Sequence, residues 1–405
     1  ARAGLYVHVP FCATRCTYCD FSSGALSGAA VERYLAAIER EAALRAPSAA
    51  GLAFSSVFFG GGTPSALAAR HFRRLARALA AHFTVAPGAE ITLEANPESV
   101  RPALLDAWRE AGVNRLSMGA QSFVPAELER LGRLHPAGRP AEAIALARTH
   151  GFARLSLDLM FGFPGHTAGS WRVTLERALA LEPEHLSAYC FIPEPGTPLG
   201  NAVLAGAASL PAPGAQADLH AQLTARLARA GFGCYETSNF CRPGAEARHN
   251  LVYWLRRPYL GLGPSAHGLI AGERYGNHYA LEPWAAALER GEPPESEHEA
   301  GDLDAAASEC VMLALRLSTG LRTADYPRPL ARAIERRYGA AFAPALAAGR
   351  LVATDGALRI DPVHRFVADD IIAWIEARAR RAGVDSHASA SVPSSPCPSL
   401  PSPAA

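Results

Sequence analysis

The sequence predicts an α/β chain folded as a partial (β/α)6 barrel and followed by a small C-terminal domain. Short β-branched or apolar runs alternate with amphipathic helical stretches through the first half, the pattern of parallel strands joined by helical crossovers. Each strand candidate ends in a reactive residue or a glycine run, and barrels carry their working residues at the carboxyl ends of strands. Beyond residue 300 the pattern changes to helices and one hairpin.

The first strand, 5–9, leads into Cys12, Cys16 and Cys19, spaced C-x3-C-x2-C. Three thiolates can bind three corners of a [4Fe–4S] cube and leave the fourth iron open, whereas an electron-carrying cube is normally closed by four protein ligands. A structural zinc site wants four ligands, usually in two paired knuckles, and no second pair at such spacing appears. The remaining cysteines, Cys190, Cys234, Cys241, Cys310 and Cys397, are scattered. With no secretory segment, they point to a reducing compartment rather than a disulfide framework.

Further strands are expected near 56–59, 90–94, 114–118, 155–160 and 185–191, with helices over 30–45, 66–83, 101–111, 139–150 and 169–180. The second strand runs into Gly60-Gly61-Gly62-Thr63-Pro64. That run is either a tight turn with Ser65 capping the next helix, or a place where a ligand meets bare backbone. The third strand ends in Glu94, the fourth runs on to Gly119 and Gln121, and the fifth carries Asp158. Alternation places Tyr6 with His8 and Thr92 with Glu94, and sets Asp158 opposite Leu157 and Leu159. A polar layer at the barrel mouth accounts for all of them.

Composition narrows the function. The 405 residues are 49% hydrophobic, enough for one large core and a smaller one. A net charge of +1 argues against nucleic acid or acidic lipid as the main partner. All 39 basic residues are arginine, so a P-loop and a pyridoxal Schiff base both lack their lysine. No run reaches the length of a bilayer span, and the expected location is cytoplasmic.

The runs LYVHVPFC, CTYCDF, FFGGGTPS, LEANPES, GAQSF, DLMFGFPG and EPGTPL, in this order, resemble the coproporphyrinogen oxidase-like branch of the radical S-adenosylmethionine (SAM) superfamily, over roughly residues 5–375. The resemblance implies a partial (β/α)6 radical-SAM barrel, a cluster on the three cysteines, and SAM on the open iron. It further implies SAM contacts at Tyr6, Gly61, Gly62, Thr63 and Glu94, and puts Gln121, Arg133 and Asp158 around a second SAM. Arg133 falls in a helix-like stretch.

Two groups share these motifs. The oxygen-independent coproporphyrinogen III oxidases decarboxylate propionates; the HemW-type haem chaperones bind haem and pass it to respiratory proteins. The oxidase carries a further cysteine where this chain has Phe21, and a long segment ahead of its first strand, whereas this chain begins five residues before Tyr6. YETSNF (235–240) and HNLVYW (249–254) resemble runs of the chaperone group. Histidine is a common axial ligand of haem iron and aromatics pack on porphyrin faces, which nominates His249 for haem. The expected partners are haem, haem-accepting respiratory proteins, an electron donor and a second copy in a homodimer, with the membrane met only through partners and no nucleic acid. Coproporphyrinogen decarboxylation is disfavoured, a radical SAM enzyme with a non-porphyrin substrate is a third reading, and whether SAM is cleaved stays open.

The resulting division is a barrel over 1–230, an extension over 231–300 carrying the two motifs, a small domain over 301–382 that resembles a winged helix, and a disordered Ser/Pro/Ala-rich tail over 383–405 that includes Cys397. In the small domain, helices over 303–317 and 328–348 precede a hairpin turning at Asp355-Gly356. Its Arg336 and Arg337 have acids such as Glu335 and Asp370 to answer them.

Overall fold

A computed structural model describes residues 2–384; Cys397 and nearly all of the expected tail lie outside the described residues. Six parallel strands follow one another in chain order: β1 (Arg2–Val9), β2 (Ala53–Gly61), β3 (Val85–Ala95), β4 (Arg115–Gln121), β5 (Arg154–Phe161) and β6 (His185–Cys190). Helices Gly28–Arg45, Ala69–Ala80, Pro102–Glu110, Arg139–Thr149 and Ala168–Ala180 make the crossovers. All six expected strands are present, as are the five helices.

Local chemistry explains the helix starts. The Ser27 hydroxyl accepts from the Ala30 N–H, and Thr167 forms a capping box with Ser170. The helix expected from residue 66 begins at Ala69, because Pro64–Ala66 forms a separate 3-10 turn. Ser65 does not cap that helix. Its hydroxyl accepts from the Asn96 N–H at 3.1 Å and from the Ser99 hydroxyl at 2.6 Å, joining the glycine turn to the loop after β3.

Period-2 alternation sorts the strands into two faces. Leu5, Val7, Val57, Phe59, Leu93, Leu116, Met118, Leu157 and Leu159 are buried in the main hydrophobic core with Tyr34, Ile38, Phe72, Leu75, Trp108, Ile144 and Trp171 from the helices. The opposite face, which includes Tyr6, His8, Thr92, Glu94, Ser117, Asp158 and Ser187 together with Phe58, lines the barrel lumen and is mostly polar.

The segment expected as a separate extension continues the same sheet at both edges. Strands β7 (Gly233–Cys234) and β8 (Asn239–Cys241) join β6, while β9 (Tyr259–Leu262) pairs in parallel with β1. Antiparallel strands β10 (His267–Ile270), β11 (Glu273–Asn277) and β12 (Glu295–Glu299) complete a twelve-stranded sheet. Buried Glu41 ties this edge to the first crossover helix. It accepts from Arg45, Asn277, the Gly263 N–H and the Trp284 indole, a network that satisfies a charge too costly to bury alone.

Residues 303–384 form their own core from helices Leu303–Ala314, Arg328–Ala347 and Ala368–Val384 and the hairpin Leu351–Thr354/Ala357–Ile360. Asp355 and Gly356 both take positive φ, the two-residue turn that matches strand twist. Arg336 and Arg337 pair with Asp304 and Glu376, not with Glu335 and Asp370, because the helix turns them toward its neighbours.

Candidate active site at the barrel mouth

The cysteine loop closes over the carboxyl ends of β1 and β2. Cys12, Cys16 and Cys19 are free and half-buried. Cys12 Sγ lies 3.3 Å from the Thr63 hydroxyl, and Arg133 Nη1 donates to Cys16 Sγ at 3.4 Å. Burial pushes the Cys19 thiol up to about 12, with the neighbouring sulfurs adding to it and the Phe21 backbone opposing. The neighbouring Cys12 and Cys16 sulfurs disfavour a thiolate at Cys19, a penalty that a bound metal cluster would remove. Among the described residues no three His, Cys, Asp or Glu side chains converge tightly enough for one ion; the corners of a cube are separate iron atoms and need no such convergence. Gly62 is required here: a Cβ on it would stand 2.7 Å from the Phe11 carbonyl oxygen.

Below the loop, β1 presents Tyr6 and His8. The His8 Nε2–H donates to the Ser22 carbonyl at 2.8 Å, leaving Nδ1 to accept from the Tyr6 hydroxyl at 3.0 Å. Burial lowers His8 to about 4, so this imidazole is neutral. Glu94 accepts from the Gly61 N–H at 3.1 Å and has no cationic partner among the described residues. Burial, then the charge of Asp158, raises it well above the usual carboxylate range. Asp158 is lifted to about 6 by burial, against hydrogen bonds from Ser187 and Ser117; the Ser117 hydroxyl is 3.0 Å from each carboxylate oxygen.

Gln121, Arg133 and Asp158 meet around Gly119. Gly119 is level with Asp158 across β4 and β5, and a Cβ on it would lie 3.1 Å from Gln121 Nε2 and 3.3 Å from Arg133 Nη2. Gln121 is buried at φ 61°, a left-handed conformation that costs a non-glycine residue, and its Oε1 has no partner. Thr92 Oγ1 is likewise unpaired. Arg133 lies not in a helix but in the loop after Pro125–Arg130. Asn96, in LEANPES but given no role by the sequence, accepts from Arg133 at 2.7 Å.

His249 is elsewhere. It sits at the opposite, amino-terminal end of the barrel, buried, on helix Arg248–Trp254. Ser56 Oγ engages Nδ1 and the Tyr253 hydroxyl engages Nε2, both at 2.9 Å, and the ring stacks on Phe58. Burial lowers it to about 3. Both ring nitrogens are thus hydrogen-bonded in this structure, and the nomination of His249 as a haem ligand or haem-site residue passes to experiment. The Asn250 amide donates to the Tyr235 hydroxyl at 3.2 Å, and that hydroxyl pairs with His185 Nε2 at 3.0 Å. The HNLVYW and YETSNF runs therefore lock together as the barrel floor. Sequence reading missed this floor, although His185 at the start of β6 and the two motifs were its signal.

The radical SAM superfamily pattern matches residues 6–178. The chain is 39% identical over 332 residues to the heme chaperone HemW of Mycobacterium tuberculosis, covering 81% of this chain and 83% of that one. It belongs to the radical SAM superfamily, in the HemN/HemW-like branch. The HemW of Bacillus subtilis is 33% identical over 334 residues, 82% of this chain and 87% of its own. The solved coproporphyrinogen III oxidase HemN from Escherichia coli superposes with a TM-score of 0.80 at 24% identity, covering 93% of this chain and 90% of that one; this shows the shared fold. Radical SAM proteins carry a [4Fe–4S] cluster and SAM, and the residues present suit both. Two of the three thiols face a hydroxyl or guanidinium donor, and the unpaired Gln121 Oε1 and Thr92 Oγ1, with the Glu94 carboxylate beside them, suit the hydroxyl and ammonium groups of SAM. No helix among the described residues is long and apolar enough to cross a membrane.

Proposed function

We propose that this chain is a haem chaperone, which binds haem and hands it to haem-requiring respiratory proteins with the cluster and SAM supporting the loading. Kinship with proteins named for that activity, along most of the chain, carries the reading. Phe21, where the oxidase has a further cysteine, turns it away from porphyrin decarboxylation. When bound, the cluster and SAM supply one-electron chemistry at the open iron. Cys12, Cys16 and Cys19 hold the cube, and Tyr6, Gly61, Gly62, Thr63 and Glu94 hold SAM, with Glu94 toward the ribose hydroxyls. Gln121, Arg133 and Asp158 line the adjoining space.

Large apolar side chains stay exposed on the segments around the cysteine loop: Leu26, Leu134, Ile192, Leu204 and Tyr279. A porphyrin face covers such a surface favourably, and the proposal seats haem there. An electron donor and a homodimer belong to the same reading. The test is anaerobic reconstitution, haem titration followed by visible absorption, transfer to an apo-haem protein, and a coproporphyrinogen conversion assay on the same sample. Stoichiometric binding and transfer without conversion support the chaperone; conversion without haem binding overturns it.

A further inference from the structure

Arg133 reaches the cluster loop in a way that the sequence motifs do not describe. Its Nη2 is held from two sides, by Asn96 Oδ1 and by the Gly119 carbonyl, each at 2.7 Å, which aims Nη1 at Cys16 Sγ 3.4 Å away. The loop that carries it is fastened to the cysteine loop. The Thr17 N–H donates to the Leu131 carbonyl at 3.2 Å and the Thr17 hydroxyl to the Arg130 carbonyl at 2.9 Å. Gly132 between them has φ 70°, and a Cβ there would press on Thr17 at 3.1 Å. No carboxylate lies within ion-pair distance of Arg133 among the described residues. Glu98 and Asp158 feel its charge only at longer range, whereas Cys16 Sγ is in direct contact with it.

We propose that Arg133 sets the reduction potential of the cluster by holding a permanent positive charge and an N–H donor against Cys16 Sγ. This rests on the cluster assignment to the three cysteines. Reduction adds one electron from a low-potential one-electron donor and breaks no bond, so the cluster gains one negative charge. A guanidinium keeps its charge at any working pH. Hydrogen bonds and charge at ligand sulfurs are among the protein's means of tuning such clusters. Stabilising the more negative state raises the potential. The Asn96 and Gly119 contacts spend both Nη2 hydrogens on positioning, which holds the Nη1 edge on one cysteine.

The test is an EPR-monitored redox titration of the reconstituted full chain without SAM, with dithionite as donor and iron and sulfide counted on each sample. In Arg133→Gln the ratio of reduced to oxidised cluster at a fixed potential falls at least tenfold, a 59 mV drop for a one-electron couple. Arg133→Lys, which keeps the charge, recovers part of the shift. Asn96→Ala, which keeps Arg133 but loosens it, gives a smaller drop and stands in if the Gln variant does not load. Unchanged midpoints in fully loaded variants overturn the proposal. Failure of the wild type to hold four irons on these cysteines would instead remove the cluster assignment beneath it.

Discussion

Replacing His249 by alanine tests whether HNLVYW is a haem ligand or a barrel floor. The ring packs between Phe58 and Tyr253, with centroids 5.2 and 5.1 Å away, and a Cβ on Gly4 would touch it at 3.2 Å. Truncation leaves a cavity, for which large-to-small core changes cost about 2–5 kcal/mol. It also strands the Ser56 and Tyr253 hydroxyls, each costing about 1–3 kcal/mol if it stays unpaired. Partial relaxation overlaps the two terms, so the expected loss is about 3–6 kcal/mol, a large part of the roughly 5–15 kcal/mol that holds a domain. Haem affinity, measured by absorption titration where the variant remains folded, should change less than about twofold. The pH dependence offers a second check. The folded pKa, about 3, lies below the ordinary 6.5, so this contribution is complete above 6.5 and is lost as pH falls through about 3. His249→Ala should flatten that part of the acid limb. A tenfold loss of haem affinity, about 1.4 kcal/mol, with an unchanged denaturation midpoint would refute the floor reading.

Other outcomes follow from the mouth. Asp158, about 6 when folded against 3.8, gives a contribution that is present below 3.8 and lost as pH rises through 6. Asp158→Asn should therefore stabilise the cofactor-free chain at pH 7 by up to about 3 kcal/mol, measured by denaturant titration at pH 5 and 7. Gly62→Ala should push the cysteine loop off the Phe11 backbone and lower iron per chain, counted after reconstitution, while far-ultraviolet circular dichroism stays the same. Ile192→Asp and Leu134→Asp should weaken haem binding several-fold without moving the denaturation midpoint, because both side chains are more than half exposed.

The six parallel strands, their crossover helices and the Asp355-Gly356 hairpin were legible because periodicity and turn chemistry are local. The mouth was legible for a related reason. Alternation alone placed Tyr6, His8, Thr92, Glu94 and Asp158 on one face, and the cysteine spacing marked the loop above them. Arg133 was harder to read, since its role depends on a loop fastened to Thr17, far away in the chain. The sequence by itself determined the barrel, the cysteine triad and the polar lining, all properties of short segments. Tertiary structure decided where His249 sits and what it touches. A histidine ahead of an aromatic pair reads the same at a haem face or inside a barrel floor, and only the packing of Ser56, Phe58 and Tyr253 around it shows that both nitrogens are taken. Tertiary structure likewise merged residues 231–300 into the main sheet, because strand partners such as β1 and β9 are separated by some 250 residues and their pairing leaves no local mark.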